Sequence, residues 1–184
     1  MTSQPKITNG VNVTALVATI EAIKQNAEIA KFNFRATNTW LGGEKNRSTI
    51  RDFTGALAEQ RTDGKGFVVE NGEASVLLGE DKAPNPVEWL LHGLIGCMTT
   101  TTAYHAAARG IAVEAIDSQI DGDLDLRGFL GLSDEVRKGY SAIRVHMRVK
   151  TKAEAATIEA LTAMSPVLDT VSRSVPVSVT VETY

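Results

Sequence analysis

The stretch that most constrains this chain runs from Pro84 to Gly110. It opens Pro84-Asn85-Pro86-Val87-Glu88, closes Ala108-Arg109-Gly110, and holds no Asp, Glu, Lys or Arg from Trp89 to Ala108. The ends carry start and stop signals for one long helix. Asn85 can accept from the first free N–H groups, Pro86 sits where a missing N–H costs nothing, and Glu88 falls three residues after the cap as in a capping box. Arg109 faces the negative pole, and Gly110 can take the left-handed conformation that ends a helix. About 24 residues lie between, roughly 36 Å at 1.5 Å per residue. A helix with no face made for water is a buried helix, and a chain of 184 residues has little else with which to wrap it on every side. A second subunit is the simplest cover.

The same stretch is long enough to span a bilayer, but His92, His105 and the run Thr99 to Thr102 make it too polar. With 43% hydrophobic and 22% charged residues the chain reads as a folded soluble protein of one domain. A net charge of −3, with no basic cluster among aromatics, argues against nucleic acid as partner. The opening Met-Thr-Ser-Gln-Pro-Lys is followed by no apolar run, so neither signal peptide nor membrane anchor is expected, and the cytoplasm is the default location. The single cysteine, Cys97, excludes an intramolecular disulfide and a cysteine zinc site.

Around the helix the periodicity changes several times. Residues 1–12 read as a loose tail. Leu16, Val17, Ile20, Ile23 and Ala27 have helical spacing, capped by Asn12 or Thr14 and ending near Ile29. Lys31 to Trp40 alternates as a strand, Gly42 to Asn46 as a hairpin turn, and Arg47 to Phe53 as the return strand. A polar loop over 59–66 leads to a strand at Phe67 to Glu70, a turn at Asn71-Gly72 and a strand from Ala74 to Leu78. Beyond Gly110, Val113 to Asp121 and Ile143 to Val149 read as strands, with Asp123 to Arg127 an extension or an edge. Residues 128–139 read as a loop with at most one helical turn. Ala153 to Met164 reads as a helix that Pro166 restarts, and Val175 to Glu182 as a closing strand. This order predicts an α+β fold, with antiparallel sheets packed on a long buried central helix.

Cys97, near the middle of that helix, is the first candidate for chemistry. Gly93 at i−4 and Gly96 leave space beside the sulfur, and Tyr104 at i+7 lies on the same face. About eleven residues from the helix start, a thiolate gains little from the dipole and needs a nearby cation. His92 and His105 lie about 140° and 80° away around the helix, so neither is placed as a base. Three histidines on separate elements make no metal constellation, and no cofactor is expected. Asp121 to Asp125 reads as a strand edge, and Arg144, His146, Arg148 and Lys150 as the wet face of a strand.

Taken in order, Asn85-Pro86-Val87-Glu88, Gly96-Cys97, Ala106 to Ile111, Gly122 to Gly128, Gly139-Tyr140 and Ser165-Pro166-Val167 resemble the family of osmotically inducible protein C (OsmC) and the organic hydroperoxide resistance proteins. The resemblance covers roughly Arg35 to the C-terminus, leaving residues 1–30 as a helical extension before a β-rich half (31–83), the central helix (84–110) and a second half (111–184). It implies an intertwined homodimer and thiol-dependent reduction of organic hydroperoxides, with a helix cysteine oxidised to sulfenic acid. Carried over, Cys97 takes the reactive position. Ser165 stands where the family has its resolving cysteine, and a hydroxyl forms no disulfide. The catalytic Glu position is Val87, with Glu88 next to it. Arg47 and Arg51 are candidates for the Arg, since Glu44 follows Gly42-Gly43 directly.

The expectation is therefore a one-cysteine reductase acting on small hydrophobic peroxides with an external dithiol as reductant. Cys97, Arg47 and Glu88 form its centre, and Ser165, Gly93, Tyr104 and Arg51 surround it. A competing expectation keeps the dimer and drops the turnover, leaving a pocket for a hydrophobic small molecule.

Overall fold

The computed structural model describes residues 4–173 and 175–183. It divides into two compact units. One comprises the residues up to Ile7 together with Asn12–Leu90; the other comprises Thr8–Val11 and Leu91 onward.

The tail expected over residues 1–12 is ordered from its first strand on; residues 1–3 lie outside the described residues. β1 (Ile7–Thr8) and β2 (Val11–Asn12) form a two-residue hairpin whose Asn9-Gly10 turn has φ of 51° and 77°. An Asn-Gly pair suits such a turn because both central residues must be left-handed. Asn9 then fastens the turn: its Nδ2 donates to the Ile111 carbonyl (2.9 Å) and its Oδ1 accepts from Val113 N (2.9 Å). α1 (Val13–Gln25) starts at Asn12, whose Oδ1 accepts from Ala15 N at 3.0 Å, and a 3₁₀ turn over Ala27–Ala30 follows.

The expected strand over 31–40 is two strands. β3 (Asn33–Phe34) pairs with β6 (Phe53–Gly55), whereas β4 (Thr37–Gly42) pairs with β5 (Lys45–Ile50). β8 (Phe67–Asn71) completes an antiparallel sheet in the order β4-β5-β8, with Arg47 opposite Thr39 and Glu70. The loop expected over 59–66 begins with β7 (Ala58–Gln60), which pairs with β6 through a turn at Ala56 and Leu57, both at positive φ. Neither residue advertises a left-handed turn, so periodicity alone misses this hairpin. The strand expected over 74–78 is instead a 3₁₀ turn, Ser75–Leu77, closed by Leu78 at φ 68°. Val76 and Leu78 are 87% and 95% exposed, so their apolar alternation marks no buried face.

α2 (Pro86–Ala108) begins and ends as its residues demand. Asn85 Oδ1 accepts from Val87 N and Glu88 Oε2 accepts from Asn85 N, both at 2.8 Å, which is the reciprocal capping box. Gly110 has φ 70°, and the Gly110 and Ile111 N–H groups return to the Ala107 and Ala106 carbonyls, closing a Schellman motif. Leu94, Met98, Thr102 and Ala106, four residues apart, make one buried stripe. Leu94 alone, 1% exposed, contributes about 2 kcal/mol by removal from water. The opposite stripe, Gly93, Gly96, Thr100 and Tyr104, is exposed, so a single chain buries one face of α2 and not all of them.

In the second unit β9 (Val113–Asp123) and β10 (Ala142–Thr151) form a long antiparallel pair. Along β10, Ile143, Val145, Met147 and Val149 face inward while Arg144, His146, Arg148 and Lys150 face water, as the alternation predicts. α3 (Leu126–Phe129) is the single helical turn between them, capped by Asp125. α4 (Ala155–Thr162) and α5 (Pro166–Ser172) follow, Pro166 opening the second of these helices. The closing strand expected over 175–182 is not formed. Val175, Val177, Val179 and Val181 alternate yet are all exposed, because alternation makes a strand only where a neighbouring edge accepts its backbone hydrogen bonds.

Candidate thiol site

The site is built where α2 meets the α4–α5 turn, within the second unit. The two helices are tied by a buried pair of hydroxyls, Thr102 Oγ1 and Thr162 Oγ1, 2.7 Å apart and less than a tenth exposed. Each hydroxyl also lies within hydrogen-bond distance of its own helix, at Met98 O (2.8 Å) and Ile158 O (2.9 Å). One proton therefore joins the pair while the other stays on a carbonyl, so neither oxygen is left without a partner.

One turn along α2 and just beyond α4, the same packing brings Ser165 against Cys97. Ser165 caps α5: its Oγ accepts from Leu168 N at 3.2 Å, and Pro166 follows where helices accept proline. Having accepted from the backbone, the hydroxyl donates to Cys97 Sγ, also at 3.2 Å. Ser165 is fully buried and Cys97 half-buried. Thr101 Oγ1 lies 4.0 Å from the sulfur.

Gly93 and Gly96 are exposed, and a Cβ on either would meet nothing within 4 Å. Tyr104 is 48% exposed further along that face. Glu88 spends its carboxylate on the helix cap. Arg47 lies in the first unit, where Glu70 engages its Nη2 (2.7 Å) and Nε (3.0 Å). Arg51 also lies there, exposed and without a protein acceptor among the described residues. The structure thus brings Ser165 to Cys97 and gives Glu88 and Arg47 partners of their own. His105 Nδ1 meets Arg109 Nη1 at 3.1 Å, and burial, then the Arg109 charge, hold its imidazole below the usual histidine range. Among the described residues no cluster of His, Cys, Asp or Glu could hold a metal ion, and no helix is long and apolar enough to cross a membrane.

Two features escape sequence reasoning. The threonine pair joins residues sixty positions apart, and nothing local announces that Thr102 and Thr162 face each other. A groove of about 580 Å³ runs between β10 and the α4–α5 hairpin, lined by Val145, Met147, Val149, Ile158, Met98 and Leu168. The last two adjoin the thiol pair, since Met98 follows Cys97 and the Leu168 N–H bonds Ser165. The inward β10 residues did signal an apolar face, but not what it faces.

The profile of OsmC-like proteins matches residues 79–180, more than half of the chain, and includes Cys97, Ser165 and every element that positions them. The chain belongs to the OsmC-like family. No curated protein matches the sequence. Solved structures agree in fold. An OsmC-like protein of Mycoplasma pneumoniae has a TM-score of 0.59 at 14% identity, over 77% of this chain and 89% of its own. An OsmC-like protein of Vibrio cholerae gives 0.52 at 13% identity, over 78% and 93%. An OsmC of Legionella pneumophila, described as an organic hydroperoxide resistance protein and predicted redox protein, gives 0.50 at 18% identity, over 77% and 90%. At such identities the likeness is one of OsmC-like fold. The α+β architecture expected from the sequence is that fold.

Proposed function

We propose that this OsmC-like chain reduces organic hydroperoxides through Cys97, with Ser165 as the residue that positions and activates the sulfur. The observation that carries this reading is the Ser165 hydroxyl donating to Cys97 Sγ at 3.2 Å. The cycle needs one cysteine. The thiolate attacks the terminal peroxide oxygen, the O–O bond breaks, and the leaving alkoxide takes a proton to become an alcohol, leaving Cys97 as sulfenic acid. An external thiol displaces water from the sulfenic acid to form a mixed disulfide, and a second thiol releases the reduced cysteine. Summed, one hydroperoxide and two thiols give one alcohol, one disulfide and one water. A dithiol suits the last step because its second sulfur is already in place.

The half-buried Cys97 and the apolar groove lined by its neighbour Met98 and by Leu168 support a small hydrophobic peroxide as substrate. The bare face of α2, with Gly93, Gly96, Thr100 and Tyr104, supports a homodimer in which a second copy covers it and completes a single OsmC-like domain architecture. Reduced protein given cumene hydroperoxide and excess dithiol is expected to consume peroxide, with Cys97→Ser at the background rate. The second reading, capture of a hydrophobic molecule without turnover, rests on the groove alone. It takes over if wild type and Cys97→Ser consume peroxide equally while both bind an apolar dye in the groove.

A further inference from the structure

The first unit holds a cavity of about 570 Å³ that the thiol chemistry leaves unused, lined by Arg35, Arg51, Asp52, Glu59, Arg61 and Thr62 among others. Its three guanidinium groups face two carboxylates, and one arginine takes both. Arg35 bonds Asp52 at 2.7 Å and also bonds Glu59. These bonds, Glu59 first, push the Arg35 guanidinium above its ordinary range, and Arg35 helps to hold both carboxyls below theirs. No acid is left over for the other two cations.

Arg61 is placed with care and given no acceptor. Its guanidinium carbon lies 4.8 Å from the Phe53 ring centroid and 5.4 Å from that of Phe67. The rings hold the planar fork and offer their π faces, but supply no lone pair. Its Nη1 is shut off from solvent with no hydrogen-bond partner, a rare condition for so strong a donor. Its backbone sits at φ 54°, a left-handed conformation that a side chain seldom adopts without cause. Arg51 bonds no protein acceptor among the described residues and contributes only its field to the neighbouring Asp52. Its stem runs against Gly66, where a Cβ would lie 2.6 Å from Arg51 Cγ, so its course depends on a glycine there.

A cavity with an excess positive charge, one arginine stacked in position and a second beside it, lacks the acceptors its donors need. Planar guanidinium forks match the oxygens of phosphate and carboxylate groups. We propose that this pocket binds the oxyanion of a small molecule, a phosphate or a carboxylate group accepting from Arg61 and Arg51. Binding is read with neither peroxide nor reductant present.

The test is calorimetric titration of the full chain at low ionic strength with sodium phosphate, with sodium acetate, and with sodium chloride at matched ionic strength. Saturable one-to-one binding of phosphate alone assigns a phosphorylated ligand, and binding of acetate, alone or with phosphate, assigns a carboxylated one. Arg61→Met, which keeps the stacked stem and removes the donors, is expected to weaken binding at least tenfold. Arg51→Gln, at an exposed position that folding does not need, is expected to do the same, and Lys24→Gln, the same charge change on the surface of α1, to leave binding unchanged. Heats indistinguishable from chloride, or a Kd within twofold of wild type in Arg51→Gln, overturn the proposal even if Arg61→Met does not fold.

Discussion

Replacing Ser165 by cysteine is expected to convert a one-cysteine site into a disulfide. The Ser165 oxygen already lies 3.2 Å from Cys97 Sγ. A disulfide requires about 2.05 Å, and the longer C–S bond closes part of the difference, so a side-chain adjustment of well under an ångström brings the sulfurs together. The bond would close a loop across a separation of 68 residues. Chain entropy for such a loop gives about 4 kcal/mol at 25 °C, with 2 to 4 kcal/mol commonly realised, equivalent to a rise in Tm on the order of 10 °C for a chain of this size. One equivalent of hydroperoxide should form the bond: the Cys97 sulfenic acid condenses with the introduced thiol and releases water. Thiol titration of the denatured variant is expected to fall from two groups to none, with a monomeric band on a non-reducing gel. Two thiols surviving oxidation, or a bond formed only between chains, would refute the placement of Ser165 against Cys97.

Thr102→Val removes one of two buried hydroxyls, and because Thr162 keeps its Ile158 carbonyl the cost should be about 1 kcal/mol, read as a lower midpoint in urea at unchanged m-value. Gly93→Leu places a side chain in open space in a single chain, so the fold should be kept; if a second copy covers that face, light scattering will report monomer where wild type reports dimer. His105 lies below its ordinary pKa of 6.5 in the folded state, so the unfolded chain takes up the proton first. Stability from this residue is complete above about pH 6.5 and declines as pH falls below it, and His105→Gln should flatten that part of the curve of Tm against pH.

Legibility varied with how local the determining interaction is. The caps of α2 were written in Asn85, Pro86, Glu88 and Gly110 because a helix end is satisfied by residues within a turn of it. β10 was legible because one face is wet and the other packed. The β6–β7 hairpin was not, since Ala56 and Leu57 take left-handed conformations that their residue types do not demand. The valines of 175–181 spelled a strand whose neighbouring edge the unit does not supply. At the site, the family resemblance set Ser165 at the resolving position opposite Cys97, whereas the Thr102–Thr162 pair that ties α2 to α4 left no local signal, because only folding brings those residues together. The arginine pocket was invisible for the same reason: Arg51 and Arg61 acquire meaning from what Arg35 does to Asp52 and Glu59.

The central claim is that Cys97 is oxidised by hydroperoxide with help from the Ser165 hydroxyl. Intact-mass spectrometry of reduced protein, quenched with dimedone seconds after one equivalent of cumene hydroperoxide, tests it most directly. The account predicts a single dimedone adduct at Cys97 in wild type, accumulating about tenfold more slowly in Ser165→Ala, in keeping with one hydrogen bond to a charged sulfur. An unmodified Cys97 in wild type, or equal rates with and without the serine hydroxyl, would contradict it.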